Sequence, residues 1–147
     1  MKTTEIKYGL SMLAGFIIYF LVMKYLGLYE NMALRFLNFL IHGTFVYLSV
    51  KAFHDSRKDH QYLPTFLTGM RTTLIGVVGY VIFQYFYLAM INPEFMVYIS
   101  ENAIMGNRLT PVTICIFLLV EGFAGGVLFS YLSMRYVGAK DTRHAGL

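Results

Sequence analysis

Charge is what this sequence has least of. Only 14% of its 147 residues are Asp, Glu, Lys or Arg, against about a quarter in an average soluble domain, which excludes a chain whose whole surface meets water. Its one cysteine, Cys115, has no intrachain partner, so there is no disulfide framework and no sign of a redox compartment. No segment alternates polar and apolar residues with period two, which excludes a membrane barrel of about eight strands or more. No repeat, low-complexity tail or break in composition marks a second domain. A nucleophile elbow, phosphate loop, dinucleotide fingerprint and metalloprotease helix are all missing. With no paired catalytic set, the chain reads as a non-enzyme without a cofactor.

What is there is apolar: 57% of the residues are hydrophobic and 17% are aromatic. A helix rising about 1.5 Å per residue needs about 20 apolar residues to cross a hydrocarbon core of roughly 30 Å. Four runs qualify, at about 8–28, 33–53, 66–91 and 111–134. The third is long enough to tilt, and Pro111 suits the first turn of the fourth because its missing N–H would be unpaired there anyway. These runs predict an all-α, single-domain integral membrane protein, a four-helix bundle with the lipid bilayer as its first partner. Lys2 and Lys7 precede the first span, which has no small-residue cleavage site after it and is expected to stay uncleaved. The twelve Tyr and thirteen Phe fit interfacial belts and packing. Residues 92–110 form the longest connection. Part of it is expected to be a short interfacial helix, with Phe95, Tyr98 and Ile99 on the membrane and Glu94 and Glu101 toward water.

Lysine and arginine placement predicts the threading, because positively charged loops stay cytoplasmic. With four spans, one side holds Lys2, Lys7, Lys51, Arg57, Lys58, Arg71, Arg135, Lys140 and Arg143, nine of the twelve cations. The other side holds Lys24, Arg35 and Arg108, so both termini are expected in the cytoplasm. The net charge of +4 then reflects threading and contact with anionic headgroups. It does not imply nucleic acid, since the basic residues lie on separate segments with no binding motif around them.

From residue 54 onward the order of features resembles a known family: the polar stretch with "YLPTF", the glycine-punctuated "LTGMRTTLIGVVGYVIFQYFYLAM", then "INPEFM" and a final glycine-rich span. The chain is similar to the Bacteroidetes membrane proteins grouped as domain-of-unknown-function family 4199, over roughly residues 8–138. Asn92-Pro93-Glu94-Phe95 directly after the third span is the most recognisable match, with Phe66 and Gly69 opening that span. The resemblance implies four spans and a place in the bacterial inner membrane, and carries no activity.

Glu121, in "LLVEGFAGG", is the first candidate for chemistry, since an ionisable group at membrane depth is costly. It lies ten residues past Pro111, about 15 Å in, and His42 lies nine residues past Ala33. A bundle-facing Glu121–His42 contact is therefore expected, as helix-holding structure or as a proton relay. Asn38 shares a helix face with His42, and an Asn38–Gln84 bridge would extend that seam outward. Arg71 is expected to snorkel to headgroups. Gly69, Thr72, Gly76 and Gly79 line one face of the third span, and Gly122, Gly126 and Ser130 form a row in the fourth. Such rows permit close helix packing or docking of a partner. The loop "HDSRKDH" has two His and two Asp, but its spacing fits no common metal-ligand pattern and Arg57 and Lys58 oppose a cation, so no metal is expected.

The leading functional expectation is a structural, assembly or regulatory component of a membrane complex, associating with other membrane proteins or with itself. The alternative is a small proton-linked transporter or channel subunit in which Glu121, His42, Asn38 and Gln84 line a path.

Overall fold

The computed structural model describes residues 3–28, 32–56, 61–102 and 109–145, with backbone alone for 32–35, 102 and 140–145. Five α-helices and one π-helical turn make up the described chain: α1 Thr3–Tyr25, α2 Met32–Asp55, α3 Tyr62–Phe86, the turn Tyr87–Ile91, α4 Pro93–Asn102 and α5 Pro111–Ala145. The protein is all-α, and its four long helices are candidate membrane spans. Lys2, Arg57, Lys58, Asp59, His60 and Arg108, invoked above for threading and for a metal, lie outside the described residues.

Local chemistry sets the helix ends. α1 stops short of residue 28 because Gly27 takes a left-handed φ of 67°, a conformation that glycine adopts without a Cβ penalty. Gly27 N–H then bonds Lys24 O at 3.1 Å and Leu28 N–H bonds Met23 O at 3.0 Å, the paired closure that satisfies terminal carbonyls. The "NPEF" stretch is a helix start: Asn92 Oδ1 accepts from Phe95 N–H at 3.0 Å, and Pro93 is the first helical residue. α5 begins the same way, with Thr110 Oγ1 accepting from Thr113 N–H at 3.1 Å ahead of Pro111. It runs 35 residues, about 52 Å at 1.5 Å per residue, well past the apolar stretch ending near Met134. No proline lies between Met134 and Ala145 to stop it.

The long helices alternate in direction, which brings the starts of α1 and α3 to the same end as the later part of α5, where Gly138 faces Tyr62. α3 occupies the centre and packs against α1, α2 and α5, while α2 completes contacts with α1 and α5. Between them lies a core of Met12, Phe16, Val46, Val50, Val77, Val81, Cys115 and Val137. At the opposite end, Tyr87, Leu88 and Phe95 form a second cluster with Phe20, Phe83 and Tyr98. The expected interfacial helix is α4, but its apolar face rests on this cluster. Phe95 is buried and Tyr98 and Ile99 are half-buried against the bundle, while Glu94 and Glu101 are exposed.

Candidate functional site

α3 presents a ladder of small and hydroxyl residues, and its rungs point to different neighbours. Gly69, Thr73 and Val77 face Ser130, Gly126 and Gly122 of α5 in antiparallel register. A Cβ on Gly122 would come within 2.5 Å of Val77 Cγ1, and one on Gly126 within 2.8 Å of Thr73 Oγ1. Thr72 instead bonds Ser49 of α2 at 2.7 Å. Gly76 and Gly79 meet Met12 and Leu13 of α1. The row read as one face is thus divided among three helices, because a central helix must offer close approach on several sides.

His42 is 3% exposed and shares a 3.1 Å hydrogen bond with Thr73 Oγ1 through Nε2. Its ring meets Phe129 and Phe16 edge-on, with centroids 5.3 and 6.0 Å away. Glu121 is not its partner. The carboxylate is exposed on the outer surface of α5 and has no hydrogen bond or ion pair to a described residue. The reason is rotation: Gly122, Gly126 and Ser130 take the face against α3, and Gly125 takes the place beside the His42 ring, 3.3 Å from Nδ1 for a Cβ built there. Glu121 falls outside that arc and one turn along α5 from the level of the His42 ring, so the expected contact fails in both rotation and register. A charged carboxylate facing lipid at mid-depth costs about 2.5–3.5 kcal/mol on insertion scales.

The Asn38–Gln84 bridge does not form either. Asn38 is half-buried, and Gln84 is 5% exposed with its Oε1 lacking a partner. Ser130 Oγ, enclosed against Gly69, also lacks one.

Among the described residues the buried carboxylate is Glu5. It is 0% exposed, accepts from Arg71 Nη1 at 3.2 Å and from Thr68 Oγ1 at 3.4 Å, and opens the first turn of α1. Arg71 is half-exposed and tethered to Glu5, not simply reaching for headgroups. Attention to Lys2 and Lys7 hid this group, although Glu5 is the one acidic residue ahead of the first apolar run and Arg71 the one cation inside the third.

The interior polar groups form separate pairs. Thr72 Oγ1 donates to Thr68 O at 3.0 Å, so the Ser49 hydroxyl is the donor in its 2.7 Å contact with Thr72. No side-chain hydrogen bond joins this pair to His42–Thr73. At the far end, Lys24 Nζ donates to Tyr87 Oη and stands 4.7 and 5.2 Å from the ring centroids of Tyr87 and Phe95, a cation–π clamp between α1, the π-helical turn and α4. No group of three or more His, Cys, Asp or Glu that could hold a metal occurs among the described residues.

A family model described as "Protein of unknown function (DUF4199)" matches residues 7–110, more than two thirds of the chain. The chain belongs to that family. The matched part includes α4 with its Asn92-Pro93-Glu94-Phe95 start and ends one residue before α5, so the resemblance expected to reach residue 138 is matched to 110. Neither the curated proteins nor the solved structures contain a match.

Proposed function

We propose that this member of the DUF4199 family is a non-enzymatic component of a bacterial inner-membrane complex, with both termini cytoplasmic, acting by lateral association with other membrane proteins. The observation that carries the reading is the outward placement of Glu121, the exposed carboxylate in the apolar stretch of α5. A path for protons through the bundle needs that group inside beside His42, and the interior hydroxyls stand in isolated pairs. An assembly role needs it on the outside. The cation count supports the threading, since nine of the twelve Lys and Arg fall, by sequence order, on the side expected to be cytoplasmic.

The test has two arms. Solubilised gently from its native membrane, the full chain is expected to migrate as a larger assembly of fixed composition. Purified and reconstituted alone in liposomes, it is expected to leave an imposed pH gradient intact. A gradient that collapses with the wild-type chain and survives with His42→Ala would replace this reading with the transporter. A reporter that matures only in the cytoplasm, fused to Leu147, is expected to give signal.

A further inference from the structure

The end of the bundle away from the chain termini holds a cation without a counter-charge. Lys24 is half-buried in the last turn of α1, where the candidate span Thr3–Tyr25 runs out. Its ammonium gives one proton to Tyr87 Oη and lies over the rings of Tyr87 and Phe95, and among the described residues no other hydrogen bond or ion pair engages it. Glu94 and Glu101 of α4 are exposed and do not pair with it. The last carbonyls of α1 do not draw it either, because Val22 O, Met23 O and Lys24 O accept from the N–H groups of Leu26, Leu28 and Gly27. Two ammonium protons are left to give. Tyr87 is 6% exposed, and its hydroxyl, which accepts from Lys24, has no described acceptor for its own proton. The π-helical turn fixes that hydroxyl in place: Asn92 N–H closes the turn on Tyr87 O at 2.9 Å, and the Tyr87 ring stands edge-on to Phe20 with centroids 5.0 Å apart. A buried hydroxyl donor beside an unpaired cation suits an anion with more than one acceptor oxygen.

What adjoins these donors is apolar. Lys24 borders an open groove of about 580 Å³ that it forms with Leu21, Val22, Tyr25 and Leu26, all four of them exposed, a volume in the range of small-ligand sites. The groove lies where α1 passes from hydrocarbon to headgroups, so an amphiphile meets both of its characters at once. We propose that Lys24 and Tyr87 bind the phosphodiester of an anionic phospholipid, with an acyl chain of that lipid lying along Leu21 and Val22. A zwitterionic lipid carries its own cation beside its phosphate and gains less from Lys24. Arg35 and Arg108, the other cations assigned to this end by residue order, have no described side chain. The site is separate from the association with other membrane proteins proposed above and does not depend on it.

The test titrates the delipidated full chain in detergent with phosphatidylglycerol or with phosphatidylcholine of the same acyl chains, and counts bound lipids by native mass spectrometry. The first phosphatidylglycerol is expected to bind about 3- to 10-fold more tightly than the first phosphatidylcholine. Lys24→Met is expected to remove that preference, whereas Lys51→Met, which deletes an equal charge near the other end of the bundle, is expected to keep it. Tyr87→Phe keeps the ring and loses the hydroxyl, so both lipids are expected to bind about 2- to 8-fold more weakly. Equal affinity of the two lipids for the wild-type chain, or a preference that survives Lys24→Met, overturns the proposal. So does displacement of bound phosphatidylglycerol by a millimolar excess of inorganic phosphate, which gives the site to a soluble anion. Thermal unfolding shows which variants are folded. Where Lys24→Met is not, Tyr87→Phe decides, and an unchanged affinity for phosphatidylglycerol overturns the proposal.

Discussion

Two carboxylates of this protein occupy opposite situations. Glu5 stands among Thr, Ile and Lys residues at the start of α1 and is fully buried, held by Arg71 and Thr68 of α3. Glu121 stands between Val120 and Gly122 in the most apolar span and is exposed. Local hydropathy points the other way in both cases. Burial here follows the partner: Glu5 has a guanidinium and a hydroxyl within reach across the α1–α3 contact, so its charge is neutralised where it is enclosed. Glu121 has glycines beside it, and those glycines have taken the interior face of α5.

The sharpest way to break the comparison is at the glycines that turn Glu121 outward. Gly122→Leu is expected to force α5 off α3, since even its Cβ meets Val77, with a loss of about 3 kcal/mol measured by denaturant titration in bicelles. An unaltered midpoint would mean that α5 tolerates rotation and that the orientation of Glu121 is not fixed. Next in size is the buried pair. Arg71→Ala leaves the Glu5 carboxylate enclosed without its guanidinium, and a loss of about 1–3 kcal/mol is expected, below the fully buried case because Arg71 is half-exposed. Glu5→Gln combined with Arg71→Ala should recover part of that loss, and strict additivity of the two changes would show that the groups do not interact. Thr73→Val deprives His42 of its hydrogen bond and is expected to destabilise by about 1–2 kcal/mol. Lys24→Met removes the clamp over Tyr87 and Phe95, with an expected effect of about 0.5–2 kcal/mol. It should appear first as faster amide exchange in α4, and unchanged exchange there would count against the clamp. Smallest of all, Glu121→Leu is expected to shift the stability of the isolated chain by no more than about 0.5 kcal/mol. A loss as large as that of Arg71→Ala would place Glu121 inside after all.

Much of this was legible in residue order. The four apolar runs located the long helices within about five residues except at the end of α5, which runs eleven residues past Met134; Pro111 marked the start of α5, and the mixed stretch after Asn92 contained α4. Counting residues put Glu121 and His42 level with one another, whereas Gly125 stands beside the His42 ring and Glu121 lies one turn away. The small-residue rows pointed to close helix contacts, and Gly122 and Gly126 do meet α3. Less legible was the division of the α3 row, where Gly69 serves α5, Thr72 serves α2, and Gly76 and Gly79 serve α1. A face count along one helix cannot reveal how many neighbours that helix has.

Sequence by itself determined the apolar character of the chain and the number and approximate position of the long helices, because these depend on composition and on rise along a single axis. Only the tertiary structure decided which way each helix is turned. In a soluble helix a polar face and an apolar face reveal the rotation. Here lipid is as apolar as the core, so α5 is apolar on both sides and carries no such mark. Its rotation is set by where backbones can come closest, at Gly122 and Gly126 against Val77 and Thr73, and that choice left Glu121 facing out while Glu5 was enclosed.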